Sequence, residues 1–161
     1  LDWLLQNVWP EVTRRRPDLT MTIIGSGDGS WLDAYRNLSG IDYLGRVESL
    51  QPHYDACAAA LVPVFFGSGT RVKAIEASLQ QRVCISTALG VEGTTLQPGT
   101  EYVRAESAGD WLDAICTLTR ESAQRMGRAA TEKAARRFDR DRIAARLIDD
   151  LVARRLIAPS S

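Results

Sequence analysis

The chain has 161 residues, of which 45% are hydrophobic and 25% charged, and its twenty basic side chains balance its twenty acidic ones. This length and composition are typical of one globular domain covering 1–161, and the zero net charge gives no support for a nucleic-acid partner. Three cysteines without C-x-x-C spacing and a single histidine exclude a disulfide scaffold, a zinc ribbon and a multi-histidine metal site.

The spacing of apolar residues predicts an alternation of helices and strands along the chain. Helices are predicted over 1–12, from 30 onward, over 50–58, from about 70, and over 107–155 with breaks near Glu121 and Asp139. Strands are predicted over 19–24, 41–44, 59–64, 83–86 and 101–103. Because the sequence begins without Met and inside a helical pattern, we expect a longer protein whose first strand lies outside this sequence.

Two central elements carry more detailed predictions. The strand over 59–64 is almost wholly apolar, which is typical of a strand covered on both faces, and the strand over 83–86 is predicted to be buried as well. The helix between these two strands is expected to turn Val72, Ile75 and Leu79 toward the core.

The regular alternation of strands and helices predicts an α/β fold, a three-layer α/β/α sandwich around a parallel sheet. Ligands of such sheets bind beyond the carboxyl ends of the strands. Glycines of this chain cluster in the joints at those ends, which are 25–29, 45–48, 65–70 and 87–93. We therefore expect the functional site in these joints.

The segment from Gly67 to Glu76 carries the strongest chemical signal. It leaves a strand, turns on two glycines and enters a helix, and free N–H groups at a helix start bind anions. The Thr70 hydroxyl can add a donor, and Arg71 and Lys73 place positive charge where the helix dipole alone disfavours it. Glu76 can accept two hydrogen bonds from a ribose diol. An alternative is that Lys73 and Glu76 only form a surface ion pair.

These residues match a known family. Phe65 through Glu76, with the strand that follows, resembles the donor-binding motif of family 4 (group 1) glycosyltransferases of the GT-B fold. Three further segments resemble turns of the same family: Thr22-Ile23-Ile24-Gly25-Ser26-Gly27, Tyr43-Leu44-Gly45-Arg46-Val47 and Thr87-Ala88-Leu89-Gly90-Val91-Glu92-Gly93. The resemblance implies a Rossmann-like, doubly wound parallel sheet, the C-terminal half of a GT-B fold.

The resemblance also implies a set of donor-binding residues. Glu76 would bind the ribose hydroxyls, and the backbone at Arg46 and Val47 would contact the base. The residues expected to contact the diphosphate part of the donor or to lie next to it are Gly67, Ser68, Gly69, Thr70, Arg71 and Lys73. One departure concerns Ser68, because the family often has a glutamate there, eight residues before Glu76, that holds the donor sugar.

The function implied is transfer of a glycosyl group from a nucleoside-diphosphate sugar, with retention of configuration, to a polysaccharide, lipid-linked or cell-envelope glycan. No metal or cofactor is expected. The acceptor side belongs to an N-terminal domain outside this sequence, so no catalytic residue is assigned. We expect the chain alone to bind the donor weakly and not to turn over.

Three alternatives belong to other classes, one of which is a non-catalytic interaction module that uses the basic helices after Arg120. A dinucleotide-binding oxidoreductase domain would use Gly25–Gly29, with Glu48 about twenty residues on, although Ser30 occupies the place of the third glycine. A nucleotide-sugar epimerase would share the GT-B architecture.

The location of the protein is the last prediction from the sequence. No signal peptide or run of about 20 apolar residues is present, so we expect a cytoplasmic protein. Residues 120–155 hold eleven basic and six acidic side chains, which is typical of solvated helices. The alternative is peripheral contact of these C-terminal helices with the anionic leaflet of an inner membrane.

Overall fold

The computed structural model of the protein describes residues 1–69 and 71–138. Its α-helices are α1 (Asp2–Asn7), α2 (Trp9–Arg15), α3 (Gln51–Ala56), α4 (Val72–Leu79), α5 (Ala108–Thr117) and α6 (Arg120–Phe138). Its strands are β1 (Met21–Ile24), β2 (Ile41–Gly45), β3 (Ala59–Val62), β4 (Val83–Ser86) and β5 (Tyr102–Arg104). Two short 3₁₀ helices cover Ser30–Tyr35 and Leu89–Val91.

All paired strands run parallel, as the sequence predicts. β1 pairs with β2, and β4 lies between β3 and β5 in a second sheet. Within the described residues no ladder of hydrogen bonds joins the two sheets. Met21 of β1 and Ile85 of β4 nevertheless belong to one apolar cluster together with Trp111 of α5. The predicted parallel α/β fold, a Rossmann-like half of GT-B type with flanking helices, is confirmed.

The helix predicted over 1–12 is interrupted. α1 ends at Asn7, Val8 has φ −126° and ψ −52°, and α2 begins at Trp9. Pro10 explains the break, because it has no N–H to donate to the carbonyl of Gln6 and its ring crowds that carbonyl. Of the six apolar residues predicted to share one face, Leu4, Leu5, Val8, Trp9 and Val12 are at most 2% exposed, as predicted. The sixth, Leu1, is 45% exposed, because it precedes the first turn of α1.

The inward face of α4 differs from the prediction. Val72 and Leu79 are 51% and 44% exposed, and Ile75 is half-buried. The buried residues of α4 are Ala74, Ala77 and Ser78. These small side chains let α4 approach β3, β4 and α6 closely, and the Thr131 hydroxyl of α6 donates to the carbonyl oxygen of Ser78 at 2.7 Å. The larger apolar side chains are therefore turned outward.

The two central strands differ in their burial. All four residues of β4 are buried, as predicted, whereas in β3 only Val62 is buried and the other three residues are half-buried. β3 also ends two residues earlier than predicted, because Pro63 has no N–H to continue the ladder.

The C-terminal helices begin with a well-formed cap. The Ser107 side chain accepts a hydrogen bond from the Asp110 N–H, and the Asp110 carboxylate accepts from the Ser107 N–H. The break between α5 and α6 falls at 118–119, near the predicted position. The second predicted break, near Asp139, and the helix predicted beyond it lie outside the described residues.

Candidate functional site

The glycine turn after β3 is shaped by its backbone. Gly67 and Gly69 have φ of +117° and +110°, a region that side chains with a Cβ rarely adopt. Among the described residues other than the chain neighbours, no atom lies within 4 Å of the position that a Cβ would take at either glycine. Both glycines are thus required by the backbone conformation, and the space beside them is open. Thr70, predicted to add a hydroxyl here, lies outside the described residues.

The start of α4 offers unused hydrogen-bond donors. Arg71 is the N-cap residue, no side chain caps the helix, and its first turn contains no acidic residue. The backbone N–H groups of Val72 and Lys73 have no hydrogen-bond partner in the part of the chain that the structure describes. The Lys73 side chain is exposed and forms no ion pair with any described residue. This arrangement suits an anionic ligand.

Glu76 lies one turn beyond Lys73 on α4 and is half-buried. Neither a hydrogen bond nor a salt bridge to its carboxylate occurs among the described residues, so the alternative Lys73–Glu76 ion pair is not formed. The pKa of the Tyr54 phenol is raised by burial and further by the negative charge of Glu76, which places the carboxylate near α3. Glu76 is therefore a free acceptor beside the anion site.

Arg71 takes a different position from its two charged neighbours on α4. Its side chain is only 8% exposed, and its Nη2 donates to the Gly67 carbonyl oxygen at 3.3 Å and to Glu92 Oε2 at 3.2 Å. The Nε–H is buried without a partner in the described structure. Sequence reasoning placed Glu92 in a functional joint but assigned it no role. The one available signal was that joints after neighbouring parallel strands meet at the same sheet edge.

The loop after β4 is fastened to the end of β3. The Ser86 hydroxyl donates to the Val62 carbonyl oxygen at 3.1 Å, and the Thr87 hydroxyl donates to the Val64 carbonyl oxygen. A Cβ on Gly90 would lie 2.3 Å from Ser86 Oγ and 2.9 Å from the Val62 oxygen, so a larger residue would displace the loop. These contacts fix the loop that carries Glu92.

The residues predicted to contact the base lie after another strand. Arg46 is exposed and Val47 half-buried, directly beyond β2 in the two-stranded sheet. Among the described residues, no hydrogen bond or ion pair connects either of them to the segment 67–76. The structure thus brings together the glycine turn, Arg71, Lys73 and Glu76, and leaves Arg46 and Val47 unconnected to them.

The turn Gly25–Gly29, on which the dinucleotide alternative depends, contacts other side chains at its second half. Asp28 Oδ1 accepts from the Ser30 N–H at 3.0 Å and from the Ser30 hydroxyl at 2.8 Å, and these bonds lower the pKa of Asp28. A negative charge therefore occupies this helix start. The Tyr43 hydroxyl lies against two carbonyls of the turn, and a Cβ on Gly29 would meet the Tyr43 ring at 2.7 Å. A pyrophosphate would be repelled here.

The fold and the site together are typical of parallel α/β domains that bind anionic ligands at a strand end. Residues 1–121 match the family described as "Glycosyl transferases group 1", and the chain belongs to this family. It is also 29% identical over 114 residues to an "Uncharacterized 44.6 kDa protein in cps region" of Klebsiella pneumoniae. That alignment covers 65% of this chain but only 29% of the relative. The chain therefore spans less than a third of the relative's length.

Two further observations concern metals and membranes. The described residues contain no group of three or more His, Cys, Asp or Glu side chains that could hold a metal ion. Among the helices of the described segments, none is both long enough and apolar enough to cross a bilayer.

Proposed function

We propose that this chain is the donor-binding domain of a group 1 glycosyltransferase and binds a nucleoside-diphosphate sugar. The observation that carries the proposal is the uncapped start of α4 beside an open glycine turn, with Lys73 and Glu76 both unpaired among the described residues. A cation and free amides suit a diphosphate, and a free carboxylate one turn away suits a ribose diol.

Each group has a role in this proposal. The backbone N–H groups of Val72 and Lys73 bind diphosphate oxygens, Lys73 adds its charge, and the Thr70 hydroxyl adds a donor. Glu76 accepts from the two ribose hydroxyls. When the bond between the sugar and the diphosphate breaks, negative charge grows on the diphosphate leaving group. The N–H groups, the Lys73 ammonium and the Thr70 hydroxyl stabilise this leaving group more strongly than they stabilise the intact nucleotide sugar. The predicted base contacts at Arg46 and Val47 belong to the same proposal.

Ser68 affects how the donor sugar is held. Its exposed side chain carries one hydroxyl where the family often has a carboxylate. A hydroxyl both donates and accepts and carries no charge, whereas a carboxylate only accepts. We therefore propose that the sugar of this donor is held mainly by groups other than the residue at this position.

We also propose an activity for the whole protein. The Klebsiella relative is described only as a protein in the cps region, and we propose a polysaccharide, lipid-linked or cell-envelope glycan as the acceptor. We further propose that the transfer retains the configuration of the sugar and that an N-terminal domain binds the acceptor. We also propose that the protein is cytoplasmic and needs no metal or cofactor. The epimerase alternative would bind the same donor, and product analysis with the full-length protein distinguishes transfer from a change in the sugar.

Calorimetric titration of the chain with UDP, GDP, ADP and NAD tests the binding step. We expect one nucleoside diphosphate to bind, and Glu76→Ala to weaken it by about tenfold or more, since hydrogen bonds to charged groups contribute roughly 1.5–3 kcal/mol. Glu121→Ala is the matched control, because Glu121 is an exposed glutamate in the first turn of α6. Binding of NAD that does not depend on Glu76, or binding of no nucleoside diphosphate, would contradict the proposal.

A further inference from the structure

We infer that Glu92 is a positioning residue that acts through Arg71 to hold the glycine turn 67–69 in the conformation that receives the diphosphate. This inference rests on the proposed donor-binding function. It assigns to Glu92 a role that sequence reasoning did not foresee, and it assigns to Arg71 an indirect role in place of a direct diphosphate contact.

The contacts of Arg71 join three segments of the chain. One nitrogen, Nη2, donates both to the Gly67 carbonyl oxygen in the glycine turn and to Glu92 in the loop after β4. We call this set, Gly67–Arg71–Glu92, the arginine clasp. Because the Arg71 side chain is 92% shielded from solvent, its charge needs a counter-charge nearby, and Glu92 forms its one salt bridge among the described residues.

Glu92 can serve as an anchor because its own backbone is fixed. It is the C-cap residue of the 3₁₀ helix Leu89–Val91, and its N–H donates to the Leu89 carbonyl oxygen at 3.2 Å. The same helix lies close to the ends of β3 and β4, since Gly90 closely approaches Val62 and Ser86. Among the described residues other than their chain neighbours, no atom lies within 4 Å of the Cβ positions of Gly67 and Gly69. The clasp therefore joins a turn with little side-chain packing to a loop whose backbone is hydrogen-bonded.

The clasp also sets the direction of a peptide group in the turn. In a trans peptide the C=O and the following N–H point in opposite directions. With the Gly67 carbonyl turned toward Arg71, the Ser68 N–H points away from the clasp, and it has no partner in the described segments. Release of Arg71 would let this peptide rotate, and the N–H would no longer be held in one direction for a ligand.

The exposure of the side chains favours positioning over direct contact. Lys73 is exposed and Arg71 is almost fully covered, although both lie at the start of α4. For the guanidinium to bind a diphosphate directly it would have to leave both of its partners. Lys73 and the helix-start N–H groups can bind the same anion without any such rearrangement.

Backbone 15N relaxation of the turn, measured by NMR without nucleotide, tests the clasp. Glu92→Gln removes the charge of the anchor, and Arg71→Lys keeps the charge but removes the planar fork of donors. We expect the order parameters of the Ser68 and Gly69 amides to fall in both variants, from the range of a rigid backbone toward that of a flexible one. Asp33→Asn is the control, since it removes one acidic charge from an exposed pair with Arg36 and should leave the turn unchanged. Unchanged order parameters at the turn in Glu92→Gln would overturn the inference.

Nucleotide titration of the same variants separates positioning from direct binding. We expect Glu92→Gln and Arg71→Lys each to weaken nucleoside-diphosphate binding by about tenfold, and the double variant to lose little more, because the two residues act as one unit. Weaker binding with unchanged order parameters would make Glu92 a ligand contact and overturn the positioning role. Failure of the unaltered chain to bind any nucleoside diphosphate would defeat the proposed function, while the relaxation measurement would still decide on the clasp.

Discussion

Gly127 of α6 lies against Gln81 so closely that a Cβ on Gly127 would stand 2.3 Å from the Gln81 carbonyl oxygen. Gln81 itself has φ +57° and forms the turn between α4 and β4. The helix can pack on this turn only because position 127 has no side chain. The packing of α6 against the turn that follows α4 therefore requires glycine at position 127.

Gly127→Ala is expected to destabilise the protein by about 1–3 kcal/mol, because the added methyl meets backbone atoms that cannot move aside cheaply. Urea unfolding followed by circular dichroism measures the change. Gly109→Ala in α5 is the control, since the nearest atom to its new Cβ lies 3.8 Å away. That control should stabilise the protein by roughly 0.5–1 kcal/mol, as alanine does in a helix. Equal effects of the two substitutions would contradict the close approach at Gly127.

Lys73→Gln is expected to weaken binding of the nucleoside diphosphate by about tenfold, the value of one charge-assisted hydrogen bond. The remaining binding should depend less on salt concentration, because one cation no longer meets the diphosphate. Titration at two salt concentrations measures both effects. Lys133→Gln is the matched control, because Lys133 is already paired with Glu101 at 2.9 Å. An equal loss in both variants would mean a general charge effect and no specific contact at Lys73.

Asp110→Asn is expected to lower stability at neutral pH and to have progressively less effect in acid. The N–H groups of Ser107 and Glu106 bond the Asp110 carboxylate and lower its pKa below the usual 3.8. A carboxyl with a lowered pKa stabilises the fold above its unfolded pKa and loses that contribution as pH falls through the folded value. The unfolding free energies of the two proteins should therefore converge below about pH 4. A difference that stays constant from pH 7 to pH 3 would show that the ionised cap contributes nothing.

Removal of arginines from α6 tests the membrane contact that the charge of the C-terminal helices suggests. Replacing Arg125, Arg128, Arg136 and Arg137 by Gln should abolish binding to vesicles of mixed neutral and anionic lipid, since each basic residue near such a surface contributes about 1 kcal/mol. All four are exposed. The same number of arginines replaced at 14, 15, 36 and 46 is the control. Sedimentation with vesicles measures the bound fraction, and unchanged binding would contradict this expectation.

The sequence was sufficient where local pattern and burial agree. β4 was predicted to the residue because four consecutive residues with apolar or small side chains fit a strand between two others. The glycine turn was predicted because a backbone with positive φ favours glycine, and glycines are visible in the sequence. The family match confirmed the resemblance that these motifs carried.

The sequence was insufficient where packing decides. The prediction of the inward face of α4 was wrong. Val72 and Leu79 are more hydrophobic than Ala74 and Ala77 and were therefore expected in the core, but close contact with α6 requires small side chains. The pairing of Arg71 with Glu92 joins residues 21 positions apart, and no local pattern announces it. The roles of the individual donor-binding residues stay predictions until a ligand is measured.

Tyr43 distinguishes the turn Gly25–Gly29 from the turn that follows β3. The two glycine-rich joints have similar sequences, yet the Tyr43 ring lies against Gly29 in the first, whereas no described residue other than the chain neighbours approaches the Cβ positions of Gly67 and Gly69 in the second. Replacement of Tyr43 by a small residue would open space beside Gly29 and make this joint resemble the turn 67–69. In this chain an aromatic residue eighteen positions downstream distinguishes a structural joint from one that is open to a ligand.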